Sequence, residues 1–208
     1  MRVGVIGAGS LGSALGERLA GAGHEIMFGG AAAALDAARR LHAQVGANAE
    51  AAAFADVVVL AVPYPAVEAV LEEVGALDGK VLWSCVNPLN RDLSGLAVGF
   101  DTSAAEQVAR RVPTASVVSA IPPFANALAS RDLAYDAQLV PSVFVCGDDT
   151  DAKLLVTELV SDLGAHPVNA GPLSSARLVE PAMTLLVRLA YADLARDLGL
   201  RLLERWAA

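Results

Sequence analysis

Gly7, Gly9 and Gly12 form the pattern G-x-G-x-x-G directly after the apolar run Arg2-Val3-Gly4-Val5-Ile6. A segment follows in which Leu11, Ala14, Leu15, Leu19 and Ala22 recur at helical spacing. The glycine pattern alone is weak, but a strand before it and a helix after it make it the fingerprint of a dinucleotide diphosphate site. Gly7 permits the tight turn, Gly9 lets the backbone approach the diphosphate, and Gly12 lets helix and strand pack closely. The helix N-terminus then presents free N–H groups and a partial positive charge to the phosphates, and Ser10 adds a hydroxyl.

The residues after the second strand should declare which dinucleotide is bound. An acid there would hold a ribose 2′-hydroxyl and an arginine would hold a 2′-phosphate. This chain has Gly29-Gly30-Ala31, with Arg39 and Arg40 further along the next helix, so the residues leave NADP and NAD open. Val62-Pro63 and Asn87-Pro88-Leu89 end two further strands and are expected at the same edge, where ligands of open α/β sheets lie.

These residues need a sheet to align them, and the chain supplies one. Strands are predicted over 1–6, 24–28, 56–62, 80–86, 116–121, 142–146 and 166–169. Helices are predicted over 11–21, 31–45, 65–77, 103–112 and 150–163, with 124–141 as a long connection. Residues 174–206 read as one long helix or two abutting ones, stepping through Val187, Tyr191, Leu194, Leu198 and Leu202, with Asp197 and Arg201 as an exposed pair. The alternation predicts an α/β fold, a Rossmann-type doubly wound parallel sheet with a compact C-terminal helical extension. Residues 1–141 are expected to form the NAD(P)-binding part and 142–208 a smaller segment packed on it.

Composition excludes several classes. The 208 residues carry 15 Lys+Arg against 23 Asp+Glu, a formal net charge of −8, which argues against nucleic acid or an anionic membrane as partner. Cys85 and Cys146 sit far apart in apolar runs and make neither a disulfide framework nor a metal cluster; no metal site is expected. No apolar run reaches the length of a membrane span, and a strand starting at residue 1 is read as leaving no signal peptide, so a cytoplasmic protein is expected.

The chain resembles the NADP-dependent coenzyme F420 reductases from end to end. The resemblance rests on GAGSLGSALGERLAGAGHEI at 7–26, VLAVPYPAVEAVL at 59–71, VVSAIPPFAN at 117–126, VFVCGDD at 143–149 and NAGPLSSARLVEP at 169–181. It implies NADP binding at Gly7, Gly9, Ser10, Leu11 and Gly12, and a flavin-like ring, coenzyme F420 or another flavin, stacked on the nicotinamide under Ile121-Pro122-Pro123. It also implies a homodimer. Family members usually carry Ser-Arg where this chain has Gly30-Ala31. Hydride passing between two bound rings needs no protein base, which suits a chain with only Lys80, Lys153, His24, His42 and His166 as Lys and His. Ile121, Pro122, Pro123 and Leu173 are then expected to position the rings, with Gly171-Pro172-Leu173 as a wall and Arg177 paired to Glu180; the other reading of this segment has Ser174 capping the last helix, with Arg177 and Glu180 as solvated or mutually paired charges. Alternatives are an NAD(P)H-dependent flavin or ferric reductase of the same fold, and a non-enzymatic NAD(P)-binding redox sensor.

Overall fold

Short runs rich in Val and Leu become the buried strands of one eight-stranded sheet, ordered β3-β2-β1-β4-β5-β6-β7-β8. The strands are β1 (Arg2–Ile6), β2 (Glu25–Gly29), β3 (Gln44–Gly46), β4 (Val57–Leu60), β5 (Val81–Ser84), β6 (Ser116–Ser119), β7 (Ser142–Gly147) and β8 (His166–Asn169). The helices are α1 (Ser10–Gly21), α2 (Ala32–Leu41), α3 (Asn48–Phe54), α4 (Val67–Val74), α5 (Ala104–Arg111), α6 (Ala125–Ala129), α7 (Thr150–Asp162) and α8 (Ala176–Leu189). The computed structural model describes residues 1–30, 32–41, 43–90, 92, 94–130, 132–135, 138–191, 198–203 and 205.

Side chains alternate between the two faces of each strand, so each run feeds two cores. Val3, Val5, Val57, Val59, Trp83 and Val118 pack on the side covered by α1, α6 and α7. Ile6, Val58, Leu60, Leu82 and Val117 pack on the side covered by α3, α4 and α5. The strand order reverses between β1 and β4, which opens the crevice characteristic of this architecture.

Five features depart from the sequence reading. The helix expected over 31–45 ends at Leu41, and Gln44–Gly46 pairs in parallel with β2 as a three-residue edge strand. Residues 48–54 then form α3, and 125–129 form α6 inside the expected connection. The sheet is not wholly parallel: β7 runs antiparallel to β6, and β8 runs parallel to β7. The direct pairing of Ser119 with Cys146 and of Val118 with Gly147 fixes that reversal. Finally, residues 198–203 are not helical but lie as a strap beside the start of β7. The Ser142 N–H donates to the Leu200 carbonyl (2.6 Å) and the Leu202 N–H to Ser142 Oγ (3.0 Å). Ala31, His42, Leu194, Asp197 and Trp206 lie outside the described residues.

Candidate functional site

The glycine turn divides its labour among its three glycines. Gly7 has φ +98°, and a Cβ there would lie 2.5 Å from the Ala61 carbonyl oxygen and 2.6 Å from Val62 Cγ1. A Cβ on Gly12 would lie 1.9 Å from the Gly7 carbonyl oxygen. Gly9 is different: its φ is −68°, and a Cβ would meet nothing within 4 Å. Neither folding nor packing therefore demands glycine at position 9; its missing side chain leaves a cradle over the start of α1. The first intrahelical bond runs from the Ser13 N–H to the Gly9 carbonyl (2.9 Å), so the amides of Ser10, Leu11 and Gly12 precede the helical ladder. An open cradle above free helix N–H groups fits a diphosphate.

The strand C-termini gather most of the remaining predicted residues at this edge. Gly29 and Gly30 close β2, Val62 and Pro63 follow β4, Asn87, Pro88 and Leu89 follow β5, and Ile121, Pro122 and Pro123 follow β6. Next to the glycine turn lies a cleft of about 310 Å³. Ser10 and Leu11 line one end, Asn87 and Leu89 another, and Ile121-Pro122-Pro123 the floor. Trp83 Nε1 donates to the Ala120 carbonyl at 2.7 Å, which fixes the backbone just before that floor. Cys85 also reaches the cleft, and burial pushes its thiol well above the ordinary range, so no thiolate nucleophile faces it. Pro63 sits in an adjoining depression with Tyr64, Asn87 and Leu89.

The opposite wall was not anticipated as part of a site. Met183, Val187 and Tyr191 face the cleft, four residues apart, and Leu198, Gly199 and Leu200 of the strap close it beside Pro141 and Ser142. Phe124 and Tyr191 meet edge to face, with ring centroids 6.4 Å apart. Thr184 Oγ1 lies 3.0 Å from Asn87 Oδ1 and donates to it, tying α8 to the loop after β5. The sequence signal for this wall is the stripe at 183, 187 and 191, which has the same spacing as a buried helix face.

Leu173 does not line the cleft. It is 6 % exposed and packs among Val117, Ala104 and Ala176 in the core beneath α5. The cause is the reversal of β7 together with β8, which runs parallel to it: the C-terminal end of β8, which leads into Gly171-Pro172-Leu173, points away from the crevice. The Gly147 N–H bonds to the Gly171 carbonyl (3.1 Å), and Asp148 Oδ1 accepts from the Leu173 N–H (3.0 Å). Asp149 caps α7, accepting from the Ala152 N–H at 2.8 Å.

Arg177 and Glu180 do not pair with each other. Arg177 grips Glu106 with two bonds of 2.8 and 2.6 Å and holds that carboxyl below the usual carboxylate range. Glu180 is 1 % exposed and caps α5 from outside, accepting from the N–H groups of Ala104 (2.8 Å) and Ala105 (3.0 Å). Burial pushes its carboxyl up to about 7 despite those donors. Both residues therefore fasten α8, the cleft wall, to α5.

A doubly wound sheet with a glycine-lined diphosphate cradle opening onto an apolar cleft defines a nucleotide-dependent oxidoreductase class. Known proteins narrow the class. Residues 2–88 match the family model described as NADP oxidoreductase, coenzyme F420-dependent. The F420-dependent NADP reductase of Methanothermobacter marburgensis is 33 % identical over 220 residues, spanning 97 % of this chain and 98 % of that protein. A crystal structure from Arthrobacter sp. FB24, described as a candidate F420-dependent NADP-reductase, superposes with a TM-score of 0.86 at 29 % identity, covering 98 % of this chain and all of that one. The metalloreductase STEAP3 of Rattus norvegicus is 29 % identical over 86 % of this chain but only 36 % of its own length. The chain belongs to the F420-dependent NADP oxidoreductase family.

Proposed function

We propose that this chain transfers a hydride between NADP(H) and coenzyme F420. The observation that carries this reading is the open cradle over Gly9 at the mouth of the apolar cleft. Family membership gives the cleft its occupant, because the relatives matched over nearly their whole length are F420-dependent NADP reductases. When bound, the nicotinamide would supply or accept the hydride and the deazaflavin would take the complementary part, a proton being taken from solvent as the deazaflavin is reduced and returned to it as the deazaflavin is oxidised.

In this reading Gly7, Gly9, Ser10, Leu11 and Gly12 hold the diphosphate, and Gly29 and Gly30 border the adenosine end. Val62, Pro63, Asn87, Pro88 and Leu89 border the nicotinamide. Ile121, Pro122 and Pro123 form a rigid floor that aligns the rings and keeps water out. Leu173 supports that arrangement only from within the core. Residues 1–141 carry the dinucleotide, and 142–208 supply the far wall of the acceptor cleft.

The protein acts in the cytoplasm as a homodimer. Among the described residues no helix is long and apolar enough to cross a membrane. The outer face of α8 exposes Leu178 (75 %), Leu185 (58 %) and Leu189 (41 %), a stripe that a second copy would cover. Light scattering of the purified chain at twice the monomer mass supports the dimer, and a monomer mass refutes it.

The direct test of the reaction is turnover of F420 with reduced dinucleotide, followed as loss of the acceptor's visible absorbance, with FMN in parallel. Turnover of F420 supports the assignment. Turnover of FMN alone transfers the chain to the flavin reductases.

A further inference from the structure

We propose that the adenosine end of this site does not select for a 2′-phosphate, so that NADH binds about as tightly as NADPH. The inference rests on the reading that the glycine turn holds a dinucleotide.

A 2′-phosphate brings a charge of about −1.5 to −2 and needs cations or free N–H donors around it. The end of β2 is where such donors stand in this architecture. Here β2 ends at Gly29, followed by Gly30 with φ +108°. The Gly30 N–H is already committed to the Gly46 carbonyl (3.1 Å), and the Ala47 N–H to Glu50 Oε2 (2.7 Å). Asn48 lies beneath this turn, 8 % exposed. Its Nδ2 donates to Glu73 Oε2 at 2.6 Å. A carboxylate only accepts, so the amide nitrogen must face Glu73 and Oδ1 must face the turn. That oxygen is buried without a partner, 3.8 Å from where a Cβ of Gly30 would stand. Apart from the first-turn amides of α2, which starts at Ala32, the turn is thus backed by an acceptor and two carboxylates, an environment that suits a hydroxyl donor better than a phosphate.

Cations do not correct the balance. The sequence has no Lys or Arg between Arg18 and Arg39, and none between Arg40 and Lys80. Arg39 pairs with Asp36 (3.6 Å) and Arg40 with Glu17 (3.1 Å). The groove running from Gly9 and Ser10 along α1 is lined by both Glu17 and Asp36 against the single cation of Arg40. Lys80 is spent on the carbonyls of Ala53 (3.2 Å) and Ala55 (2.6 Å), at the far end of α3. A phosphate entering from the glycine turn therefore meets two acid–arginine pairs, Asp36 with Arg39 and Glu17 with Arg40, rather than a free arginine.

The test is a pair of binding titrations on the full chain, using the nicotinamide fluorescence of NADPH and of NADH, with displacement by 2′,5′-ADP and by 5′-AMP. Dissociation constants within about threefold of each other, with matching salt dependence, are expected. NADPH bound more than about tenfold tighter overturns the inference while leaving the proposed reaction intact. Binding of neither dinucleotide overturns both. Asp36→Arg is expected to tighten NADPH by about tenfold and to leave NADH unchanged; tightening of neither shows that α2 does not face the 2′ position, and the inference falls. Arg40→Ala is expected to change the two affinities equally, and a loss confined to NADPH overturns the proposal.

Discussion

The two sides of the cleft are made of different material. The glycine turn after β1 is a backbone construction, in which amides, carbonyls and missing side chains do the work. The facing wall of α8 and the strap is a side-chain construction of Met183, Val187, Tyr191 and Leu198. Backbone sites need specific residue types, because only glycine fits where a Cβ would overlap a carbonyl. Apolar walls need only volume and shape, which many residues supply and which any buried helix face also shows. The first kind of site announces itself in sequence and the second does not.

The largest effects should separate two glycines three residues apart. Gly9→Leu is expected to weaken dinucleotide binding about a thousandfold while leaving the melting temperature unchanged, because the side chain enters only the open cradle. Gly12→Val is expected to lower the melting temperature first, and binding with it. Its Cβ falls 1.9 Å from the Gly7 carbonyl oxygen, so helix and strand must separate, at a cost of about 3 kcal/mol or more. Thermal melts and fluorescence titrations of both variants check this. Normal binding by folded Gly9→Leu would remove the diphosphate from the turn.

The same contrast decides how far the fold could be read. Val57–Leu60 and Val81–Ser84 are legible because a buried parallel strand must be a short apolar run between breakers. Gln44–Gly46 is not, because a three-residue edge strand carries no alternation and abuts an Ala-rich run of high helical propensity. The seven-residue α3 and five-residue α6 fall below the length at which periodicity speaks. The reversed direction of β7 is invisible, because an apolar run looks the same whichever way it points, and with it went the placement of Leu173. In the last segment Gly199 is the residue that marks the strap. A Cβ there would lie 3.1 Å from Pro141 Cβ and 3.3 Å from the Tyr135 ring, a close approach belonging to a strap and not to a helix.

A middle-sized effect should show that the wall is fastened by a titratable group while the turn is not. Glu180 holds α8 to α5 with a carboxyl raised from 4.5 to about 7. Between those values the folded chain binds a proton that the unfolded chain has released, so stability falls as pH rises through that window and levels off above it. The loss is expected to be on the order of 3 kcal/mol. Glu180→Gln cannot ionise and should flatten the slope between pH 5 and 7.5 in thermal melts. An unchanged slope in that variant would assign the proton to another group. Glu106, held low by Arg177, loses its contribution only below the ordinary carboxylate range, outside this window.

The smallest effect tests the division itself. Val187 stands at the middle of the α8 stripe, with Met183 and Tyr191 one turn to either side, and all three face the cleft of about 310 Å³. Val187→Trp adds a large ring where the floor Ile121-Pro122-Pro123 faces α8, so it shrinks the space available to the acceptor. It leaves the glycine turn untouched, since Val187 lies on a different element from the cradle over Gly9. The KM for F420 should rise about tenfold and the dissociation constant for reduced dinucleotide should stay within about twofold. The ratio of these two changes is the informative quantity. Equal changes would mean that the dinucleotide itself fills the space against α8, and that the backbone-built and side-chain-built regions serve one ligand rather than two.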